Sequence, residues 1–122
     1  MSKTERRSFM PIIVQKFGGT SLANADLIKS VATRILNTKK CGFDVVVVCS
    51  AMGDYTDRLI TLAREITEHP NPRELDVLLS TGETLVCPLV ALALEEFGCQ
   101  AISLTGIQAG IKTESRFGRA RI

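Results

Sequence analysis

Four consecutive β-branched residues, Val45-Val46-Val47-Val48, restrict this chain more than any other feature. Branching at Cβ stiffens χ1, favouring a pleated strand over a helix. No polar residue alternates within the run, so neither side of the strand is marked for water. Such a strand is expected to be covered on both faces, as in a parallel sheet. Parallel neighbours require crossover connections, usually helical, so helices should lie on either side of the run in sequence.

The flanking segments meet that requirement. Ile12-Ile13-Val14, bounded by Pro11 and the pair Gly18-Gly19, is a second short apolar strand. Between the two strands, Leu27, Ile28, Val31, Ala32, Ile35 and Leu36 recur every three or four positions, forming one face of a helix. Asn24 suits its amino-terminal cap, and Lys39 and Lys40 suit its negative end near Cys41-Gly42. After the valines, a helix is expected to begin at Thr56 or Asp57 with Leu59, Ile60, Ala63 and Ile66 on one side, ending before His69-Pro70-Asn71-Pro72. Residues 73–97 are helical again, with an interruption expected at Thr81-Gly82. The first piece buries Leu75, Leu78 and Leu79, and the second buries Leu85, Val86, Leu89, Val90, Ala93 and Phe97. Pro88 removes a backbone donor and should bend the second piece. Gly98 stops it, residues 100–105 read as a third strand, and residues 106–122 are polar and rich in turns. Alternating strands and helices with right-handed crossovers predict an α/β fold, a mainly parallel sheet with helices on both faces.

Residues 1–10 lack periodicity and read as a flexible leader, leaving 11–122 as part of one domain. Hydrophobic residues make up 45% of the chain, enough for a core. Fifteen Lys and Arg against 13 Asp and Glu, with no Trp and one Tyr, offer neither a basic stripe nor a stacking surface, so no nucleic acid partner is expected. Cys41, Cys49, Cys87 and Cys99 lack CxxC spacing and have only His69 to join them, so the expectation is no metal site, free thiols and a reducing, cytoplasmic setting. There is no signal-peptide pattern, and no apolar run approaches the roughly 20 residues of a membrane span.

Ligands of open parallel sheets gather at the carboxyl ends of the strands. The loops at Gly18, Ser50 and Gly106 follow strands and are where chemistry is expected, and three segments are candidates to carry it. In Lys16-Phe17-Gly18-Gly19-Thr20-Ser21, paired glycines let backbone N–H groups approach an anion, and Lys16 can place a compact charge on a phosphoryl group. The same letters also fit an ordinary tight turn. Ser50-Ala51-Met52-Gly53-Asp54 with Thr56 and Asp57 offers hydroxyls to a small polar substrate, or simply helix caps. Ser80-Thr81-Gly82-Glu83 places a carboxylate where it can hold an ammonium group, or face solvent. His69 and the Arg116, Arg119 and Arg121 cluster fit a solvated surface better than a site.

These blocks occur in one order: Val14-Gln15-Lys16-Phe17-Gly18-Gly19-Thr20-Ser21, Val46-Val47-Val48-Cys49-Ser50-Ala51-Met52-Gly53-Asp54, Glu74-Leu75-Asp76-Val77-Leu78-Leu79-Ser80-Thr81-Gly82-Glu83, and Ala101-Ile102-Ser103-Leu104-Thr105-Gly106. Together they resemble the aspartate kinases, within the amino acid kinase family, from about Ile12 to Ile122. The resemblance implies a three-layer αβα sandwich with a mainly parallel sheet, of which 11–122 would be the amino-terminal part. It implies transfer of the γ-phosphoryl group of ATP, with Mg²⁺, to the side-chain carboxylate of L-aspartate, for lysine, threonine and methionine synthesis. No prosthetic group is implied, and the complete enzyme would be a homo-oligomer. By residue, Lys16 would stabilise the transferred phosphoryl group; Phe17, Gly18, Gly19, Thr20 and Ser21 would line the ATP phosphates; Ser50, Thr56 and Glu83 would hold aspartate.

The sequence departs from the family at Ile107, often aromatic, at Pro88, and at Phe117-Gly118-Arg119, often a Gly-Asn form. Members also carry a Gly-Gly-Ser-Asp block, the nucleotide-binding half and small-molecule-sensing domains that are not found in these 122 residues. A three-stranded piece would leave an edge and a face uncovered, so this chain alone is expected to be marginally stable and inactive. Other readings are a bifunctional aspartate kinase–homoserine dehydrogenase, another amino acid kinase, and a non-catalytic assembly subunit.

Overall fold

The computed structural model describes residues 9–122; most of the expected leader, residues 1–8, lies outside them. Strand β1 (Ile12–Phe17) leads through a 3₁₀ turn (Gly19–Leu22) into helix α1 (Ala25–Lys40), and strand β2 (Asp44–Cys49) follows. Helix α2 (Tyr55–Ile66) and the 25-residue helix α3 (Pro72–Glu96) complete the regular structure. The two strands pair in parallel, Ile12 opposite Asp44 and Phe17 opposite Cys49, so their carboxyl ends are level. This is the α/β, parallel-stranded arrangement the valine run requires.

The helix boundaries follow local chemistry. The Asn24 side chain accepts from the Leu27 N–H at 3.0 Å, and Lys39 and Lys40 occupy the last turn of α1. A cap of this kind stabilises by about 1 kcal/mol. Asn71 does the same for α3, accepting from the Arg73 N–H at 2.9 Å, and Pro72 stands in the first turn, where its missing donor costs nothing.

Phe17, Ile28, Val31, Ala32, Ile35, Val86, Val90 and Leu94 form the core, with Val45, Val47 and Cys49 packed against it. Both α1 and α3 therefore lie on one side of the sheet. The valine run divides accordingly. On the opposite side, Ile12, Val14, Val46 and Val48 remain 67%, 64%, 49% and 45% exposed. The strand was expected to be covered on both faces; among the described residues only one is.

Four further features differ from the sequence reading. Residues 100–105 form no strand: a strand exists only as part of a ladder, and Ile102 and Leu104 are exposed here, not paired. Residues 73–97 form one helix, not two. Gly82 is buried in it, and a Cβ there would stand 3.1 Å from Leu59 Cδ1 and Tyr55 Cδ1. The glycine weakens the helix by about 1 kcal/mol but admits α2 to close contact, which offsets that cost. Within α3 the buried stripe is Val86, Val90 and Leu94; Leu85, Leu89 and Phe97, expected inside, are exposed. The helix as a whole, with a mean hydropathy of 1.9 over an 18-residue window, is long and apolar enough to cross a membrane, contrary to the sequence reading. Its buried face nevertheless packs on α1.

Candidate active site

The two strand ends open into loops that are joined by main chain. Ser50 N–H donates to Phe17 C=O at 3.1 Å, and Gly53 N–H donates to Gly19 C=O at 2.9 Å. Only glycine fits at position 19, because a Cβ there would lie 2.7 Å from the Ala51 carbonyl oxygen and 3.1 Å from that of Gly53. Gly53, with φ +52°, makes the return turn toward α2. Gly18, with φ −77° and nothing within 4 Å of where a Cβ would stand, is open toward solvent.

Glu83 joins the second and third segments. One turn before the core stripe of α3, its carboxylate accepts from the Ala51 N–H at 3.1 Å and, at a long 3.5 Å, from the Thr56 hydroxyl. Ala51 is buried, so without Glu83 its N–H would lack a partner, a loss of about 1–3 kcal/mol. A carboxylate has roughly four acceptor positions, so two remain for a ligand. Ser50 lies immediately before Ala51, half-buried, with its backbone held by Phe17.

Lys16, Phe17, Gly18 and Ser21 line an open cleft of about 290 Å³, together with Gln15 and Arg34. Gly19 and Thr20 sit in the 3₁₀ turn beside it, Thr20 exposed. Ser50, Thr56 and Glu83 do not line this cleft. The structure thus gathers the candidates into two groups, one on each side of the Gly19–Gly53 link.

Two neighbours escaped the sequence reading. The Arg34 guanidinium lies 5.9 Å from the centre of the Phe17 ring, adding a second cation to the cleft that holds Lys16. Gln15 donates to the Thr38 hydroxyl at 2.8 Å, while its buried Oε1 has no partner. Arg34 sits on the polar side of an amphipathic helix, and no local pattern separates it from a solvated arginine. His69, Arg116, Arg119 and Arg121 are exposed, and none of them lines the cleft. Among the described residues no cluster of three or more His, Cys, Asp or Glu exists to cage a metal.

Residues 11–121 match the model of the amino acid kinase family. This chain belongs to that family. Aspartokinases are its relatives by sequence: that of Bacillus sp. strain MGA3 is 57% identical over 113 residues, and that of Geobacillus stearothermophilus 55%. Each alignment covers 93% of this chain and 28% of the relative, so the chain spans little more than a quarter of the length of those enzymes. The crystal structure of aspartate kinase from Synechocystis superposes with a TM-score of 0.77 at 52% identity, covering 80% of this chain and 17% of that one. The amino acid kinase fold seen there is the one this chain adopts in part.

Proposed function

We propose that these residues are part of an aspartate kinase, which transfers the γ-phosphoryl group of ATP to the side-chain carboxylate of L-aspartate and forms 4-phospho-L-aspartate. One observation carries the reading: two loops at level strand ends, one with a lysine and glycines, the other with hydroxyls and a carboxylate, are fixed to each other by the 2.9 Å Gly53–Gly19 bond. The similarity to aspartokinases at 53–57% identity supports the same assignment.

In this proposal Lys16 neutralises charge that builds on the phosphoryl oxygens as the group moves. Its compact ammonium suits that task. Gly18, Gly19, Thr20 and Ser21 present backbone and hydroxyl donors to the phosphates, with Phe17 closing the wall behind them. The free acceptor positions of Glu83 take the ammonium of aspartate. Ser50 and Thr56 orient its carboxylates, so that the side-chain oxygen faces the phosphoryl group. Mg²⁺ arrives as part of the nucleotide substrate. The adenine pocket and the regulatory domains belong to the rest of the enzyme, which we propose to be a cytoplasmic homo-oligomer serving lysine, threonine and methionine synthesis.

The test uses the complete enzyme containing these residues, with acyl phosphate trapped by hydroxylamine. Lys16→Ala is expected to lower kcat by about 10²–10³ with little change in the KM for aspartate. Glu83→Gln is expected to raise the KM for aspartate and spare that for ATP. Near-normal turnover of the Lys16 variant removes that residue from its role. Equal activity on glutamate or N-acetylglutamate removes aspartate as the substrate.

A further inference from the structure

Arg34, the second cation of the cleft, takes no part in the reaction proposed for Lys16. It is an exposed residue of α1, and a long side chain in such a place usually turns freely in water. Here its surroundings hold it. The Gln15 amide donates to the Thr38 hydroxyl at 2.8 Å, and that hydroxyl donates to the Arg34 carbonyl at 3.2 Å, so the backbone at Arg34 is tied to β1. The guanidinium lies over the Phe17 ring, 5.9 Å from its centre, within reach of a cation–π contact. Lys16, Gly18 and Ser21 share the cleft with it. Among the described residues no carboxylate forms an ion pair with either Arg34 or Lys16. Two cations without a counter-charge, in an open cleft of about 290 Å³, suit an anion that carries more than one charge.

We propose that Arg34 is a nucleotide-binding residue, gripping the diphosphate that stays with the nucleotide when the γ-phosphoryl group departs. The inference rests on the phosphoryl-transfer reading for its placement. Ser50, Thr56 and Glu83 stand outside this cleft, on the other side of the Gly19–Gly53 link, so the acceptor approaches from there. The phosphates that meet Arg34 inside the cleft are therefore the ones not transferred. A guanidinium fits that position better than an ammonium. Stacking on Phe17 occupies its face and leaves its N–H edge free to bind two phosphate oxygens at once. The diphosphate is present both before and after transfer, so Arg34 adds to nucleotide affinity in both states and little to the rate of the chemical step. Lys16, by contrast, acts on the group that moves.

The test uses the complete enzyme containing these residues, with ADP and Mg²⁺ titrated in a calorimeter. Arg34→Met keeps an apolar stem beside Phe17 and removes the charge and the planar fork. It is expected to weaken ADP binding and raise the KM for ATP by the same factor, about 10–100-fold, while the KM for aspartate and kcat at saturating ATP change little. Arg34→Lys, which restores the charge without the fork, is expected to recover part of the loss. The unsubstituted enzyme gives a second readout that no folding defect can obscure. ADP is expected to protect Arg34 from phenylglyoxal, mapped by peptide mass, more than it protects Arg64, an exposed residue of α2 outside the cleft. Normal ADP affinity in Arg34→Met, or protection of Arg34 no greater than that of Arg64, overturns the inference. Hydroxylamine trapping keeps the two readings apart. Aspartyl phosphate formed by an enzyme whose Arg34→Met variant binds ADP normally sinks the role of Arg34 alone, whereas ADP held through Arg34 without phosphorylation of aspartate sinks the choice of acceptor alone.

Discussion

Adjacent glycines at positions 18 and 19 should respond to alanine in opposite directions. At position 19 the new methyl meets the Ala51 carbonyl oxygen at 2.7 Å, about 0.7 Å inside ordinary contact, and both further neighbours are backbone atoms of Gly53. Backbone cannot rotate aside, so the loops must part, and the 2.9 Å Gly53–Gly19 bond is strained or lost. The lost bond is worth about 1 kcal/mol and the overpacking about 1–3 kcal/mol, so Gly19→Ala should destabilise by roughly 2–4 kcal/mol. That corresponds to a fall in Tm of roughly 10–20 °C for a domain of this size. At position 18 nothing lies within 4 Å and φ is −77°, which any residue adopts. Gly18→Ala should therefore be neutral or stabilise by about 0.4–1 kcal/mol, through the unfolded chain. Urea unfolding followed by far-ultraviolet circular dichroism, with unchanged slope, measures both. If the two variants unfold at the same midpoint, the two loops are not in contact and the site as described does not exist.

Other expectations concern single features. The 122-residue chain alone is expected to form no aspartyl phosphate under conditions where the complete enzyme does; hydroxylamine trapping detects it. Gly82→Ala gains about 1 kcal/mol of helix propensity and loses a similar amount to crowding by Leu59 and Tyr55, whereas Gly82→Leu should separate α2 from α3 at a cost of about 3 kcal/mol, read from the same urea curves. Because the Cys49 pKa is raised from 9.0 to about 12 by burial and then by Cys87, the folded chain keeps a proton that the unfolded chain releases. The stability this contributes is complete below pH 9 and declines as pH rises toward 12. Cys49→Ala should flatten that alkaline decline.

The parts of the fold most legible in the sequence were those with local causes. Asn24 marks the start of α1 by accepting from an orphan N–H group, and that start is where the letters place it; Asn71 does the same for α3 in a stretch that reads only as a break. The valine run and Ile12-Ile13-Val14 mark strands because β-branching acts on the residue itself. Features with distant causes were less legible. Gly82 resembles a break until α2 is seen against it. Residues 100–105 have strand composition, but strand structure needs a partner edge. Asp54 stands at the cap position of α2 without making a capping bond, and the helix starts at Tyr55, not at Thr56 or Asp57. For the site, the sequence isolated the three segments, and the structure added what joins them: a main-chain bond between loops, and Glu83 reaching the Ala51 N–H. A bond between Gly19 and Gly53 leaves no trace in residue type beyond the glycines themselves.

Helix α2 has no fully buried residue, while α3, on which Glu83 rides, is anchored in the core by Val86, Val90 and Leu94. Thr56 and Glu83, the two residues proposed to hold aspartate from these helices, thus rest on supports of unequal firmness. Amide protons of α2 should exchange with solvent well before those of α3, since little apolar surface must be re-wetted to free it. Each such excursion withdraws the Thr56 hydroxyl and leaves the carboxylate seated on the Ala51 N–H. The proposed aspartate site would loosen from one side only, its carboxylate staying in place.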